Sequence, residues 1–470
     1  MSEARNLFSI LRQSADPQTA DAIEKLVQDA PDRALCRVNV LDFAAKNGLD
    51  EERAIAAFLH AARLGIFELS WNVLCPGCGG VLDSGTTLKS VDKDEYVCAW
   101  CAAGYTPTLD DLVEVTFTVS RRVRHIAAHD SDDLPFNEYF RQVFWGSGID
   151  VADNFEDLIE EIVLDSLELP PGGKALLSLQ LPAEFVIIID PVTHGTQFLD
   201  VKGEPTRERQ NLTFVLDKLR TPTETVELRP GPLRLSLENH TDARVLPGLW
   251  VANDKLHELL GRRKPFLTAK RLLTNQVFRD IYGTDTIDID QRLKITSLTF
   301  LFTDLKGSTE LYERVGDLAA FDLVREHFHT LNDIVAAEGG AVVKTIGDAV
   351  MATFPTPDRG LSAAFRMRDA MHELNEHHGH GREDLVLKIG IHEGPCLAVM
   401  LNERQDYFGS TVNIASRVQG LAATPSILAT DSVVDHPLSA GVFANGRQKP
   451  MAKQHALRGL AAERTVYEIP

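Results

Sequence analysis

The stretch "TFLFTDLKGSTELYERVGD", Thr299 to Asp317, is the one on which the reading of this chain turns. Thr299 to Phe302 have the character of a buried strand. A carboxylate, Asp304, follows almost at once, then a Lys-Gly-Ser-Thr turn, then a helical pattern. Asp, Ser and Thr favour helix N-caps, so Asp304 can be read as a cap. It can also be read as a metal ligand beside a phosphate-binding turn, because the free N–H groups around Gly307, Ser308 and Thr309 open a helix, where an anion is welcome. The stretch alone leaves both open.

Working outward, the pattern from Ile295 on is strand, helix, hairpin, helix, strand, strand, helix, strand. The helix after Thr309 repeats apolar residues Phe321, Val324, Phe328, Leu331 and Val335 at spacings of three or four, which predicts packing on a sheet. Gly339-Gly340 ends it. "AVVKTIGDAVMATF", Ala341 to Phe354, reads as two strands joined at Gly347-Asp348, a dipeptide suited to a tight hairpin. Asp348 alone could be a turn former. A strand end carrying Asp304 and a hairpin tip carrying Asp348 can, however, lie side by side, and two such carboxylates repel unless divalent cations sit between them. Acids for metal and amides for phosphate together point to nucleoside triphosphate chemistry with two metals.

The bulk properties bound the alternatives. A chain of 470 residues is expected to hold about three domains. With 44% hydrophobic and 25% charged residues it is a folded protein, and its net charge of −20 repels nucleic acid and anionic lipid. The N-terminus is too polar for a signal peptide, and no apolar run approaches the roughly 18–20 residues a membrane helix needs. The expectation is a cytoplasmic protein without nucleic acid or a membrane span.

Four of the six cysteines are paired by spacing: Cys75 and Cys78 in "CPGC", Cys98 and Cys101 in "CAWC". Two such knuckles complete a tetrahedral zinc site, and in a reducing compartment they favour one structural Zn²⁺ over disulfides or a redox dithiol. Cys36 and Cys396 stand singly in apolar surroundings and read as buried thiols. Residues 1–70 read as a helical, winged-helix-like segment, with Ala54, Phe58, Ala61 and Ala62 at helical spacing. A zinc ribbon is expected over 71–115 and a helical connector over 116–159. A small β-sandwich-like unit is expected over 160–255, from short runs such as "EFVIIID" and "LTFVLD" between turn signals, and a helical, basic linker over 256–295.

Three stretches, "FLFTDLKGST", "VVKTIGDAVMATF" and "QDYFGSTVNIASRV", resemble the catalytic domain of class III nucleotidyl cyclases, and specifically adenylate cyclases, in the family's order over residues 296–468. The resemblance implies a ferredoxin-like α/β fold for 296–470, within a multidomain α+β chain. It implies that Asp304 and Asp348 hold two Mg²⁺ or Mn²⁺ ions, with the carbonyl of Leu305 as a further ligand. It matches Lys344 and Asp406 to the family's purine-selecting pair, which suits adenine: Lys donates to the N1 acceptor and Asp accepts from the N6 amine. Asn413 and Arg417, four apart on a helix and hence on one face, match the transition-state pair. Gly307, Ser308 and Thr309 are expected at the phosphates. Arg458 stands in "LRG", where the family often has a triphosphate-contacting Lys, so its geometry there departs from the family's.

Lys344 and Asp348 are four residues apart, about 13 Å along an extended chain. That span fits a site built from two subunits, so the resemblance implies a homodimer with shared sites and ATP as substrate. The implied reaction is in-line attack of the ATP 3′-hydroxyl on the α-phosphate, giving 3′,5′-cyclic AMP and pyrophosphate. Guanylate cyclase, a catalytically silent cyclase-like scaffold, and a winged-helix transcription regulator are the competing readings. Residues 1–290 read as input machinery answering an unknown ligand or protein.

Overall fold

The computed structural model describes residues 2–151, 154–217, 224–282, 287–288, 291–377, 385–401, 404–422, 426–445, 450–457 and 463–470. The chain folds as two compact units. One comprises Met1–Thr86, Ser90–Pro107 and Leu112–Leu267, and the other Thr87–Lys89, Thr108–Asp111 and Thr268–Pro470.

In the first unit, helices span Ser2–Ser14, Pro17–Asp29, Val40–Asn47 and Glu51–Arg63. Their starts follow from capping chemistry. Asp16, Asn39 and Asp50 each accept from a backbone N–H of the following first turn, and Pro17 occupies a position whose N–H needs no partner. Ala54, Phe58 and Ala61 are buried, and Ala62 is half-buried. The strand Phe67–Leu74 pairs antiparallel with Val81–Gly85 and Val113–Val119. Farther on, Lys174–Leu181, Gln210–Leu216 and Gly231–Asn239 form one sheet. Val163–Ser166, Phe185–Ile189, Thr196–Val201, Val226–Leu228 and Gly248–Val251 form a second. Inward residues of both, among them Val186, Ile188, Leu199, Leu235, Leu237 and Leu249, share one apolar core. Alternation supplies the buried face along Lys174–Leu181, Gln210–Leu216 and Gly231–Asn239, whereas Phe185–Ile189 and Gly248–Val251 are buried almost throughout.

The second unit opens with two short helices, α1 (Ala269–Leu273) and α2 (Gln276–Tyr282). An eight-stranded sheet follows. Its members are β1 (Leu293–Leu305), β2 (Ala341–Ile346), β3 (Ala349–Phe354), β4 (Leu387–Leu401), β5 (Arg404–Phe408), β6 (Ile427–Thr430), β7 (Met451–His455) and β8 (Arg464–Ile469). The hydrogen-bonded order is β2-β3-β1-β4-β6-β8-β7, with β5 paired to the far end of β4. Helices α3 (Ser308–Val315) and α4 (Asp317–Ala337) lie between β1 and β2. Helix α5 (Pro357–His377) follows β3, and α6 (Ser410–Gly420) follows β5.

The "TFLF" run is a buried central strand: Thr299, Phe300, Leu301 and Phe302 are all buried between β3 and β4. One face is covered by α4 and α5, with Leu301, Val324, Leu331, Val335, Leu361 and Met367 in a common core. On α4 the expected stripe holds from Val324 onward but fails at its first member. Phe321 is 58% exposed and Leu318 79%, because the sheet-facing stripe that meets the common core begins only at Val324, so periodicity alone overextends the buried face. Helix α6 packs through Ile414 and Val418 against Leu428 and Val466. It approaches β4 so closely at Gly390 that a Cβ there would stand 2.2 Å from the Gln419 nitrogen, so that position needs glycine.

Candidate active site

The two acids of the quoted motifs converge. Asp304 is the penultimate residue of β1, and Asp348 lies in the tight turn between β2 and β3, where Gly347 has φ +64°. The register brings the two ends together: Phe302 pairs with Met351, and the Val350 N–H donates to the buried Thr303 hydroxyl at 3.1 Å. Burial, and then the charge of Asp348, pushes the Asp304 carboxyl above its ordinary value. Lys388, directly across the β1–β4 ladder, and the side chain of Gln419 on α6 pull the other way. Neither was named from the sequence, because only strand register and helix docking bring them to Asp304.

One oxygen of Asp348, Oδ2, is buried without a hydrogen-bond partner. An orphaned carboxylate oxygen beside a second carboxylate is a site whose cost a hard divalent cation removes. The donor set thus fits Mg²⁺ or Mn²⁺, with Asp304, Asp348 and the carbonyl of Leu305 as the residues that would hold it. Helix α3 starts at Ser308, immediately after this strand end and Gly307, so its first amide N–H groups lack intrahelical acceptors. The side chains of Ser308 and Thr309, and the whole of Arg458, lie outside the described residues.

The second pair is in direct contact. Lys344 on β2 donates from Nζ to Asp406 Oδ2 on β5 at 2.5 Å. The other oxygen of Asp406 accepts from the Tyr407 N–H at 2.8 Å. The Lys344 side chain is 42% exposed and that of Asp406 13%, so the pair has one face toward solvent, where a ligand edge can reach it. Asn413 is exposed and Arg417 half-buried, one turn apart on α6 and away from the Ile414–Val418 face that is packed. The start of that helix is pinned by Thr411, whose hydroxyl donates to the Pro395 carbonyl at 2.5 Å.

In the first unit, the four cysteines form one cluster whose sulfurs all lie within 4.8 Å of one another. Cys75 and Cys101 are 3.5 Å apart, and Cys78 and Cys98 3.6 Å. Tetrahedral thiolates at about 2.3 Å from zinc stand about 3.8 Å from each other, so the cluster fits that ion. A Cβ at Gly77 would come within 2.8 Å of Cys101 Sγ, which keeps this knuckle free of side chain. Backbone N–H groups of Gly80 and Cys101 point to Cys78 and Cys98. Hydrogen bonds among the four sulfurs, led by those of Cys101, pull the Cys75 thiol down and push those of Cys78 and Cys98 up. Cys396 is buried and its thiol is pushed up to about 12 by desolvation. Cys36 is only half-buried.

Residues 1–280 match a family of unknown function (DUF5939), and residues 291–457 match the adenylate and guanylate cyclase catalytic domain. The first match covers more than half of the chain, which therefore belongs to that family. Its C-terminal part is a class III nucleotidyl cyclase domain, most like those of bacterial adenylate cyclases. An adenylate cyclase of Streptomyces coelicolor is 34% identical over 146 residues, 31% of this chain and 34% of that one. A pH-sensitive adenylate cyclase of Mycobacterium tuberculosis is 30% identical over 266 residues, 55% of this chain and 60% of that one. The adenylyl cyclase CyaB of P. aeruginosa aligns at 24% identity over 38% of this chain and 96% of that one, with a TM-score of 0.35. The chain spans about a third of the length of the curated relatives it matches first. Among the described residues no helix is long and apolar enough to cross a membrane.

Proposed function

We propose that the chain is an adenylate cyclase that converts ATP to 3′,5′-cyclic AMP and pyrophosphate. The observation that carries this reading is the Lys344–Asp406 contact at 2.5 Å: a donor and an acceptor side by side, matching the N1 acceptor and N6 donor of adenine. Guanine offers the reverse pattern and would meet like groups on both atoms. Divalent cations held by Asp304 and Asp348 would lower the pKa of the 3′-hydroxyl and neutralise the triphosphate. The chain's own groups do the rest. The first-turn amides of α3 cradle phosphate oxygens, Asn413 orients the ribose, and Arg417 meets the charge that develops on the α-phosphate. The bond formed is O3′ to the α-phosphorus, the bond broken is that to the bridging oxygen of pyrophosphate, and the 3′-hydroxyl proton passes to solvent.

The site is proposed to be shared between two copies, the acids from one and the remaining four residues from the other. Ile346 and Phe408, each two residues beyond a member of the recognition pair, are exposed in the single chain. Apolar groups of that size at the rim of a polar site favour cover by a partner. The four-cysteine cluster is proposed to hold one structural Zn²⁺, and residues 1–290 to regulate the catalytic domain at 296–470. Incubating the purified protein with ATP or GTP and Mg²⁺ or Mn²⁺ tests the central reading. Cyclic AMP from ATP with little cyclic GMP from GTP is expected; equal yields, or none, would overturn it.

A further inference from the structure

We infer that Arg279, on the helix α2 that precedes the catalytic sheet, is a positioning residue for purine discrimination. The inference rests on the adenylate cyclase reading above. Its ground is that β2 and β5, which carry Lys344 and Asp406, are not partners in the sheet. Three strands, β3, β1 and β4, stand between them in the hydrogen-bonded order. No ladder joins the two strands directly, so apart from the Lys344–Asp406 ion pair itself a further contact is needed to fix the separation of their backbones.

Arg279 supplies that contact. Its Nη2 donates to the carbonyl of Gln405 at 3.0 Å and, more loosely, to that of Val343 at 3.4 Å. These are the residues immediately before Asp406 and Lys344. Val343 is also where the β2–β3 ladder is interrupted: Val342 pairs with Ala352 and Lys344 with Met351, so Val343 is left without a cross-strand partner. A bulge frees its carbonyl and re-aims the next side chain. One planar guanidinium thus ties the backbone behind both recognition residues.

Neighbouring bonds make the tie rigid. Gln276, one turn earlier on α2, accepts from the Val342 N–H at 2.8 Å. Gln405 donates through Nε2 to the Tyr407 hydroxyl at 3.0 Å and to the Leu273 carbonyl at the end of α1 at 3.3 Å. The Tyr407 hydroxyl donates to the same carbonyl. Both bonds of Arg279 leave from one nitrogen, Nη2, whose donors lie in the fixed plane of the guanidinium; an ammonium on a flexible stem presents its donors without that plane, so Lys reproduces the tie poorly. Recognition of N1 and N6 together needs both groups placed within a few tenths of an ångström, so loosening the tie should cost base selectivity before it costs chemistry.

The test compares the full-length protein with Arg279→Lys and Arg279→Met. The readouts are kcat and KM for ATP and GTP, the affinities for fluorescent N-methylanthraniloyl ATP and GTP, and the thermal midpoint. In both variants we expect the ATP-over-GTP ratio of kcat/KM and of affinity to fall about tenfold, through KM for ATP, with kcat for ATP changed less than about threefold. An unchanged ratio in both variants would overturn the inference while leaving the adenylate reading intact. So would a loss confined to kcat, or one that tracks the thermal midpoint. A wild-type protein that prefers neither purine in turnover or in binding would overturn the adenylate reading and this inference together.

Discussion

Asp304 and Asp348 show how a single residue type changes meaning with its neighbour. Either alone is a cap or a turn former; together, with one oxygen of Asp348 orphaned in the interior, they form the donor pair proposed to hold a divalent cation. Asp348→Ala is expected to reduce turnover at least a hundredfold while leaving the oligomeric state unchanged from that of the wild type, measured by cyclic AMP yield and light scattering. Normal activity in that variant would remove Asp348 from the metal site. Two histidines of the same unit set a pH limit. His327 and His392 are buried, and desolvation lowers each to about 4 from the usual 6.5. The unfolded chain therefore binds more protons than the folded one below pH 6.5. Their contribution is full above that value and is lost as pH falls toward 4, at about 3 kcal/mol for each residue. Urea midpoints measured across pH 7 to 4 should fall accordingly, and less so in His392→Gln.

At the scale of elements, two close approaches organise the molecule. Gly390 lets α6 settle onto β4 and so aims the helix that carries Asn413 and Arg417. Gly390→Ala should cost about 1–3 kcal/mol and lower kcat with little change in ATP affinity, because a Cβ there must push the helix off the strand. A wild-type kcat would show that α6 is held by other contacts. The elements were largely legible in the sequence because their signals are local. The "TFLF" run, the Gly347-Asp348 turn, and Asn413 and Arg417 one turn apart need only the period of strand or helix. Phe321 was misread for the same reason, since periodicity tells which face is apolar and not how far the neighbouring sheet extends.

At the scale of the whole molecule, the division of labour within the site matters most. If the acids come from one subunit and Arg417 from the other, mixing Asp304→Ala with Arg417→Ala chains restores one intact site in each heterodimer. Random pairing then gives about a quarter of wild-type cyclic AMP formation, and each variant alone nearly none. No recovery on mixing would refute shared sites.

What the sequence determined by itself was chemistry that is local in the chain. The cysteine knuckles, the acid at a strand end, the acid in a turn and most of the order of strands and helices follow from spacing and side-chain type, whereas Lys344 and Asp406 were picked out only by the resemblance to the cyclase family. Tertiary structure alone decided what those groups meet. It set Lys388 across from Asp304, joined Lys344 to Asp406 although three strands separate theirs, and brought Arg279 beneath both. The physical reason is that register, sheet curvature and helix docking are set by burial summed over the whole core, which no short stretch of sequence contains.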